Sequence, residues 1–330
     1  MPQIPVTILY HADCLDGFGA AYAAWCRYGE SATYRAMHHG EARDMAQIAE
    51  HEVFVLDFSF PPEQLRNMAR LARAITQIDH HASAMQPWAE LLTDDSRGRK
   101  VFADPTLPLR VMFDLDKSGA RLAWEFFHPE QSTPLPLLHI EDQDLWRFTL
   151  PDTRAFCRSL RMEAFDFADW ATLCAAMPNR EAPRYREFVA VGQGVERFFQ
   201  REVARLADGN LSMPATVRGE PVDALQAVRH GQATVSDGET NWLAISGLAI
   251  NASVLFASEL GNVLAERSGS FGLIWQYAAD GEIKASLRAK GKVDVAAIAA
   301  RYGGGGHPNA AGFRLPASRF FSEVLGLANA

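Results

Sequence analysis

Four apolar, β-prone runs in the first half of the chain each lead into acidic or imidazole side chains. Ile4–Tyr10 leads into His11-Ala-Asp13-Cys14-Leu15-Asp16-Gly17, and Val53–Leu56 into Asp57. Ala74–Ile78 leads into Asp79-His80-His81, and Leu135–Ile140 into Glu141-Asp142-Gln143-Asp144. Stretches of helical character separate these runs, so the pattern reads as strand, helix, strand. It predicts an α/β fold with a mainly parallel sheet covered by helices on both faces. Such sheets bind ligands beyond the carboxyl ends of their strands. The four polar clusters are therefore expected to converge.

The second half has a different rhythm. Pro178-Asn-Arg-Glu-Ala-Pro183 breaks the chain, and Tyr185–Leu206 then carries Phe188, Val191, Val195, Phe198 and Phe199 at near-helical spacing. Phe271–Tyr277, Asp280-Gly281 and Glu282–Leu287 form a hairpin pattern. Ile250–Gly261 reads as the start of a helix, and Val293–Arg301 has helical spacing. The expected organisation is a catalytic domain over 1–180, a linker helix over 181–210 and a smaller α/β domain over 211–330. The site is expected in the cleft between the two domains.

Charge counting gives the polar clusters a chemistry. Asp13, Asp16, Asp57 and Asp144, brought together, would repel and raise one another's pKa values. Two divalent cations would neutralise them and leave His11 and His80 as neutral imidazole ligands. Mixed carboxylate and imidazole ligation suits Mn2+ or Fe2+ better than Ca2+, with Zn2+ also open. A two-metal site activates water and clamps a phosphoryl group for in-line attack. The plainer reading, that each Asp caps the helix following its strand, suits one such residue better than the whole set.

His11-x-Asp13-x-x-Asp16-Gly17, Asp57, Asp79-His80-His81 and Asp144 resemble the four motifs of the DHH phosphoesterase superfamily. Ser286-Leu-Arg288 and Arg301-Tyr-Gly303-Gly304-Gly305-Gly306-His307-Pro-Asn309-Ala-Ala-Gly312 resemble its DHHA1 substrate domain, in the subfamily of small-oligonucleotide phosphodiesterases and phosphatases. The resemblance implies one cation held by His11, Asp13 and Asp57. It implies a second held by Asp16, Asp57, His80 and Asp144, with Asp57 bridging. His81 would face the substrate phosphate, and Asp79 would orient a neighbouring imidazole. The first motif departs from the family pattern because Cys14 and Leu15 separate its aspartates, which leaves open the metal that each binds. Asp144 aligns with the fourth-motif Asp, and Asp142 reads as a solvated or supporting carboxylate.

The glycine run has a physical use as well. Consecutive glycines let backbone N–H groups approach an anion closely and adopt unusual dihedrals. Gly304, Gly305 and Gly306, with His307 and Arg288, are the expected phosphate grip, the planar guanidinium matching phosphate oxygens. Trp146 and Phe148 are candidates for base stacking.

Composition narrows the partners. The formal net charge of −8 argues against broad binding of long duplex nucleic acid. Affinity concentrated in a cleft favours a short nucleotide or another small phosphorylated substrate. With 48% hydrophobic residues, two cores can be filled over 330 residues. No run is apolar enough to span a membrane, and no basic-then-apolar leader opens the sequence. Cys14, Cys26, Cys157 and Cys174 form no CxxC pair, as expected of reduced thiols in a cytoplasm. Cys14 itself reads as a small packing residue. The isolated histidines His38, His39, His51, His128, His139 and His230 read as surface or locally hydrogen-bonded, and a homodimer is compatible with the sequence.

The expected activity is metal-dependent hydrolysis of short oligonucleotides or related nucleotides such as 3′-phosphoadenosine 5′-phosphate. The cofactors would be two divalent cations, Mn2+ foremost, with Mg2+, Fe2+ or Zn2+ as alternatives. Cyclic dinucleotide hydrolysis and exopolyphosphatase activity are the enzymatic alternatives, and a nucleotide sensor is the non-enzymatic one.

Overall fold

The computed structural model describes residues 4–38, 45–209 and 211–327; His39 lies outside them. The chain divides into two compact units, Met1–Phe198 and Phe199–Ala330.

The N-terminal unit alternates strands and helices: β1 (Val6–His11), α1 (Leu15–Tyr28), β2 (Ala32–Met37), β3 (Glu52–Leu56), α2 (Pro62–Ala69), β4 (Ala74–Asp79) and the short α3 (Ala82–Met85). A hairpin, β5 (Thr93–Asp94) and β6 (Lys100–Ala103), precedes β7 (Leu109–Phe113). Helices α4 (Gly119–Phe127), α5 (Leu135–Asp144), α6 (Thr153–Leu160), α7 (Phe167–Ala176) and α8 (Pro183–Asp208) follow. The sheet order is β2-β1-β3-β4-β7-β6-β5. The first five strands run parallel, and β6 and β5 are antiparallel additions.

Strand periodicity explains why the runs look continuously apolar. Phe54, Leu56, Ile8 and Ile78 face one core with Phe18, Trp124 and Leu137, while Val53, Val55, Leu9 and Ile75 face another with Leu65, Met68 and Trp88. Successive residues point to opposite faces, and both faces are covered. From β1 the chain passes to β2 on one side, then returns to β3 on the other. That reversal is a topological switch point, where open α/β sheets bind ligands. The residues closing it are His11 and Asp57.

One expected element of this unit differs. Leu135–Ile140 is not a strand but most of α5, with Pro136 in its first turn. Proline fits a helix start, where its missing N–H costs no bond, and would remove a ladder bond from a strand. Leu137 and Ile140 sink into the same core as α1 and α4, so a buried helix segment imitated a strand. Asp94–Lys100 forms the largely exposed tip of the β5–β6 hairpin, where Asp95 Oδ1 accepts from the Arg97 and Arg99 amides.

The C-terminal unit begins within α8 and continues through β8 (Met213–Pro221), α9 (Ala224–Arg229), β9 (Thr234–Ser236), β10 (Asn241–Asn251) and α10 (Ala257–Ser268). Then come β11 (Phe271–Tyr277), β12 (Glu282–Ala289), α11 (Val295–Ala300), β13 (Gly305–His307), β14 (Ala310–Pro316) and α12 (Ala317–Arg319). The sheet order is β13-β14-β12-β11-β10-β8, with β9 paired to β10 and only β10–β11 parallel. The β11–β12 hairpin and α11 match the sequence pattern, whereas Ile250 ends a strand and the helix starts at Ala257. Phe199, Val203 and Ala207 of α8 pack with Leu260 and Leu264 of α10 on one sheet face. Val295, Ile298 and Phe320 cover the other. No helix among the described residues is long and apolar enough to cross a membrane.

Candidate metal centre

At the switch point the first turn of α1 is pressed onto the end of β1. A Cβ on Gly17 would lie 2.2 Å from His11 O, so only glycine permits this approach. Asp16, on that turn, is 1% exposed. Its Oδ2 accepts from the Gly119 amide (2.6 Å) and its Oδ1 from Ala120 (2.9 Å), so Asp16 satisfies the start of α4 from 103 residues away. Asp57, directly after β3, is 2% exposed and held at φ 51°. Gly119 matters here too, since a Cβ there would sit 2.5 Å from Asp57 Cβ.

His80 Nε2 is the geometric centre. It lies 3.2 Å from Asp57 Oδ1, 3.4 Å from Asp16 Oδ2 and 3.6 Å from Asp144 Oδ2. The other Asp57 oxygen, Oδ2, is 3.5 Å from His11 Nδ1. Asp57 thus extends one oxygen to each imidazole. Asp144 reaches the cluster from the C-terminal end of α5 and keeps 28% of its side chain exposed.

The electrostatics follow from the crowding. Burial, then the charges of Asp57 and Asp144, pushes the Asp16 carboxyl well up. Burial also raises Asp144, with Asp57 adding to it against the pull of His80. Burial opposes a charged Asp57, but the His11 and His80 imidazoles facing its two oxygens outweigh it and hold that carboxyl far down. For His80 and His11, burial disfavours the imidazolium, yet the carboxylates around them win and raise both. Asp16, Asp144, His11 and His80 therefore all shift towards more positive charge, as a site shaped for cations would.

Ligand-type atoms from Asp16, His80 and Asp144 lie within 4.8 Å of one another, as do those from His11, Cys14 and Asp57. Buried Asp57 Oδ1 meets no hydrogen-bond geometry in the protein, which leaves it suited to ligation. This oxygen and nitrogen donor set fits a divalent transition metal. The residues present fit two cations.

Asp13 is not brought into either group. Its side chain is 89% exposed, its φ is 54°, and His38 Nε2 stands 3.9 Å away. Cys14, read from the sequence as packing, lies within ligand distance instead. No pattern in the chain distinguishes the two residues, because a local backbone twist decides which one faces inward.

Asp79 and His81 form a second arrangement beside the first. Asp79, 1% exposed, accepts from Ser59 Oγ (2.6 Å) and from the His80 amide (2.7 Å). Its Oδ1 also holds His81 Nδ1 at 2.7 Å. Burial disfavours charge on His81, but the charge and hydrogen bond of Asp79 outweigh it and raise its pKa. With Nδ1 engaged, Nε2 is the nitrogen through which His81 would act.

Asp142 is buried rather than solvated. It accepts from Thr149 N and Oγ1, Leu150 N and Thr153 Oγ1 at 2.6–3.1 Å. Those bonds pin the loop carrying Trp146 and Phe148, both at positive φ. The Arg154 guanidinium sits 3.5 Å from the Phe148 ring centroid, and a groove of about 500 Å³ beside it is lined by Phe148, Arg154 and Arg197.

In the C-terminal unit, Arg288 and His307 each pair with Ala310, from opposite sides of β14. Directly paired antiparallel residues point to the same face, so Arg288 and His307 share a face across a small alanine. Arg288 donates to Leu287 O and Ser258 Oγ, and burial lowers its pKa to about 10, which leaves it charged at neutral pH. Gly305 and Gly306 belong to β13, and a Cβ on Gly304 would lie 2.0 Å from Gly312 O. Close packing against β14 thus requires glycine at Gly304, independently of any bound anion.

Residues 254–330 match the DHHA1 domain family model. An uncharacterized protein of Acanthamoeba polyphaga mimivirus is 27% identical over 323 residues, covering 92% of this chain. The chain spans 66% of the length of that curated relative. Among solved structures, a pGpG-specific phosphodiesterase from Vibrio cholerae aligns at 12% identity and a TM-score of 0.39, over 96% of this chain and 95% of that one. The His11, Asp16, Asp57, Asp79-His80-His81 and Asp144 motifs meet at one strand-end site in the N-terminal unit, and the unit that carries Arg288 and His307 contains a segment, residues 254–330, that matches the DHHA1 domain family.

Proposed function

We propose that the protein is a two-metal-dependent phosphoesterase that hydrolyses short oligonucleotides or related small nucleotides, 3′-phosphoadenosine 5′-phosphate among them. The observation that carries this reading is Asp57, whose two oxygens face His11 and His80 separately. His11 and Asp57 would hold one cation, and Asp57, Asp16, His80 and Asp144 the other. Such a pair supplies an activated water and charge neutralisation at the phosphoryl oxygens. His81, oriented by Asp79, would donate to a phosphoryl oxygen and steady the charge developing there. Asp79 keeps that imidazole in one tautomer, since its carboxylate accepts from Nδ1.

Turnover of dinucleotides, longer RNA, cyclic dinucleotides, 3′-phosphoadenosine 5′-phosphate and polyphosphate should be compared with Mn2+ and after chelation. Dinucleotides and 3′-phosphoadenosine 5′-phosphate are expected to turn over only with metal. Tight nucleotide binding with no hydrolysis under any metal would favour a sensor instead.

Arg288 divides binding from chemistry. Arg288→Ala is expected to leave metal content unchanged while lowering kcat/KM for substrates with a terminal phosphate. Loss of a charge-assisted hydrogen bond is worth about 1.5–3 kcal/mol, or roughly ten- to a hundredfold. A minimal substrate lacking that phosphate should barely respond. Equal slowing of every substrate, or loss of a metal, would refute a separate phosphate grip.

A further inference from the structure

The first motif offers two neighbouring candidates for one ligand position, and the backbone separates them. Asp13 takes a left-handed conformation and exposes 89% of its carboxylate. Cys14, one residue on, has its sulfur within 4.8 Å of ligand atoms of both His11 and Asp57. Three further observations bear on that grouping. The contact of Gly17 with His11 O sets the spacing between the end of β1 and the start of α1, so Cys14 is held beside His11 by packing. Cys14 occupies the N-cap of α1, where Ser, Thr, Asp or Asn would cap, yet makes no side-chain cap hydrogen bond. Asp57 is 2% exposed, and its Oδ2 lies 3.5 Å from His11 Nδ1.

We infer that the Cys14 thiolate, rather than the Asp13 carboxylate, completes the cation position formed by His11 and Asp57, and that this position takes a thiophilic divalent metal. The inference rests on the metal-dependent reading above and sharpens it. A thiolate carries the same single negative charge as the carboxylate it replaces, so the charge balance of the centre is kept. Binding forms the metal–sulfur bond and releases the thiol proton to solvent. Sulfur donors favour Zn2+, Fe2+ or Co2+ over Mg2+ and Mn2+. The two cation positions then differ in kind, one ligated by sulfur, nitrogen and oxygen and the other by nitrogen and oxygen alone. The extra residue between Asp13 and Asp16 gives a physical cause, because it turns Asp13 outward and brings the next side chain inward.

The test is cobalt titration of the metal-free full chain, followed by absorption spectroscopy and by equilibrium measurement of bound cobalt. The wild type and Asp13→Asn are expected to develop a thiolate-to-cobalt charge-transfer band in the near ultraviolet. Cys14→Ala should lack the band and bind one of its two cobalt ions at least tenfold more weakly, with an unchanged far-ultraviolet circular dichroism spectrum. Two cobalt ions bound by the wild type with no such band would overturn the thiolate assignment and leave the two-metal reading intact. So would a tenfold loss in Asp13→Asn matched by none in Cys14→Ala. No cobalt bound by the wild type would overturn both readings. Should Cys14→Ala not fold, the band in the wild type and its survival in Asp13→Asn still decide the assignment.

Discussion

Asp57→Ala is expected to abolish measurable turnover and to strip most bound metal while leaving the fold in place. The carboxylate supplies one oxygen towards His11 and the other towards His80, so its loss removes a ligand from both proposed cation positions. Removing a residue that merely orients a ligand commonly costs 10- to 100-fold in metal affinity or activity, so loss of a shared ligand should exceed about a hundredfold. The fold should survive because Asp57 follows β3 rather than pairing within it, and because alanine adds no volume beside Gly119. Metal content by mass spectrometry, turnover in metal-defined buffer and circular dichroism together check the expectation. His81→Ala, measured alongside, should lose turnover while keeping its metals. Near-normal activity of Asp57→Ala would remove Asp57 from the bridging role, and metal loss in His81→Ala would exchange the roles of the two histidines.

Acid should destabilise the N-terminal unit through His139, by about 3 kcal/mol between pH 6.5 and pH 4. His139 is fully buried on α5 and stacked against Phe156. Burial, the dominant cause, lowers its pKa from 6.5 to about 4. The hydrogen bonds select the neutral form: Tyr185 OH donates to Nε2 (3.0 Å), Nδ1 donates to Thr153 Oγ1 (2.9 Å), and Thr153 donates to Asp142 (2.6 Å). A second ring proton would face the Tyr185 hydroxyl proton. Below pH 6.5 the unfolded chain takes up a proton that the native protein refuses, so stability falls with pH down to about 4, where the native form begins to protonate as well. Above pH 6.5 neither state is charged and the contribution is constant. Urea unfolding at pH 7, 5.5 and 4.5 should show this loss in the wild type and much less of it in His139→Gln. Parallel pH dependence in the two proteins would refute the assignment.

His139 also shows where the sequence stops short. In the chain it is one of several histidines without a motif, and nothing nearby marks it as the hub of a buried network. Its partners Thr153 and Tyr185 lie 14 and 46 residues away. Hydrogen bonds of that range arise only once α5, α6 and α8 have packed, whereas the apolar periods of those helices are local.

The same division runs through the metal centre. Runs of alternating faces and the triplet Asp79-His80-His81 are local signals, and they were enough to predict a mainly parallel sheet with polar strand ends. The glycine run and Arg288 likewise marked the C-terminal unit, because the motif that names its family is contiguous. Pro136 was a local sign of the helix start at α5, but packing against α1 and α4 decided it, since an apolar run of six residues with both sides buried has no period to betray it. Tertiary structure joined Asp16 to the start of α4 and required glycine at 119 so that Asp57 could approach. In the folded chain Asp13, at φ 54°, faces solvent, and Cys14 lies with His11 and Asp57. Composition and spacing determined which chemical groups the centre could draw on. Which of them face one another was decided by backbone dihedrals and contacts between segments about a hundred residues apart, and those are properties of the packed chain.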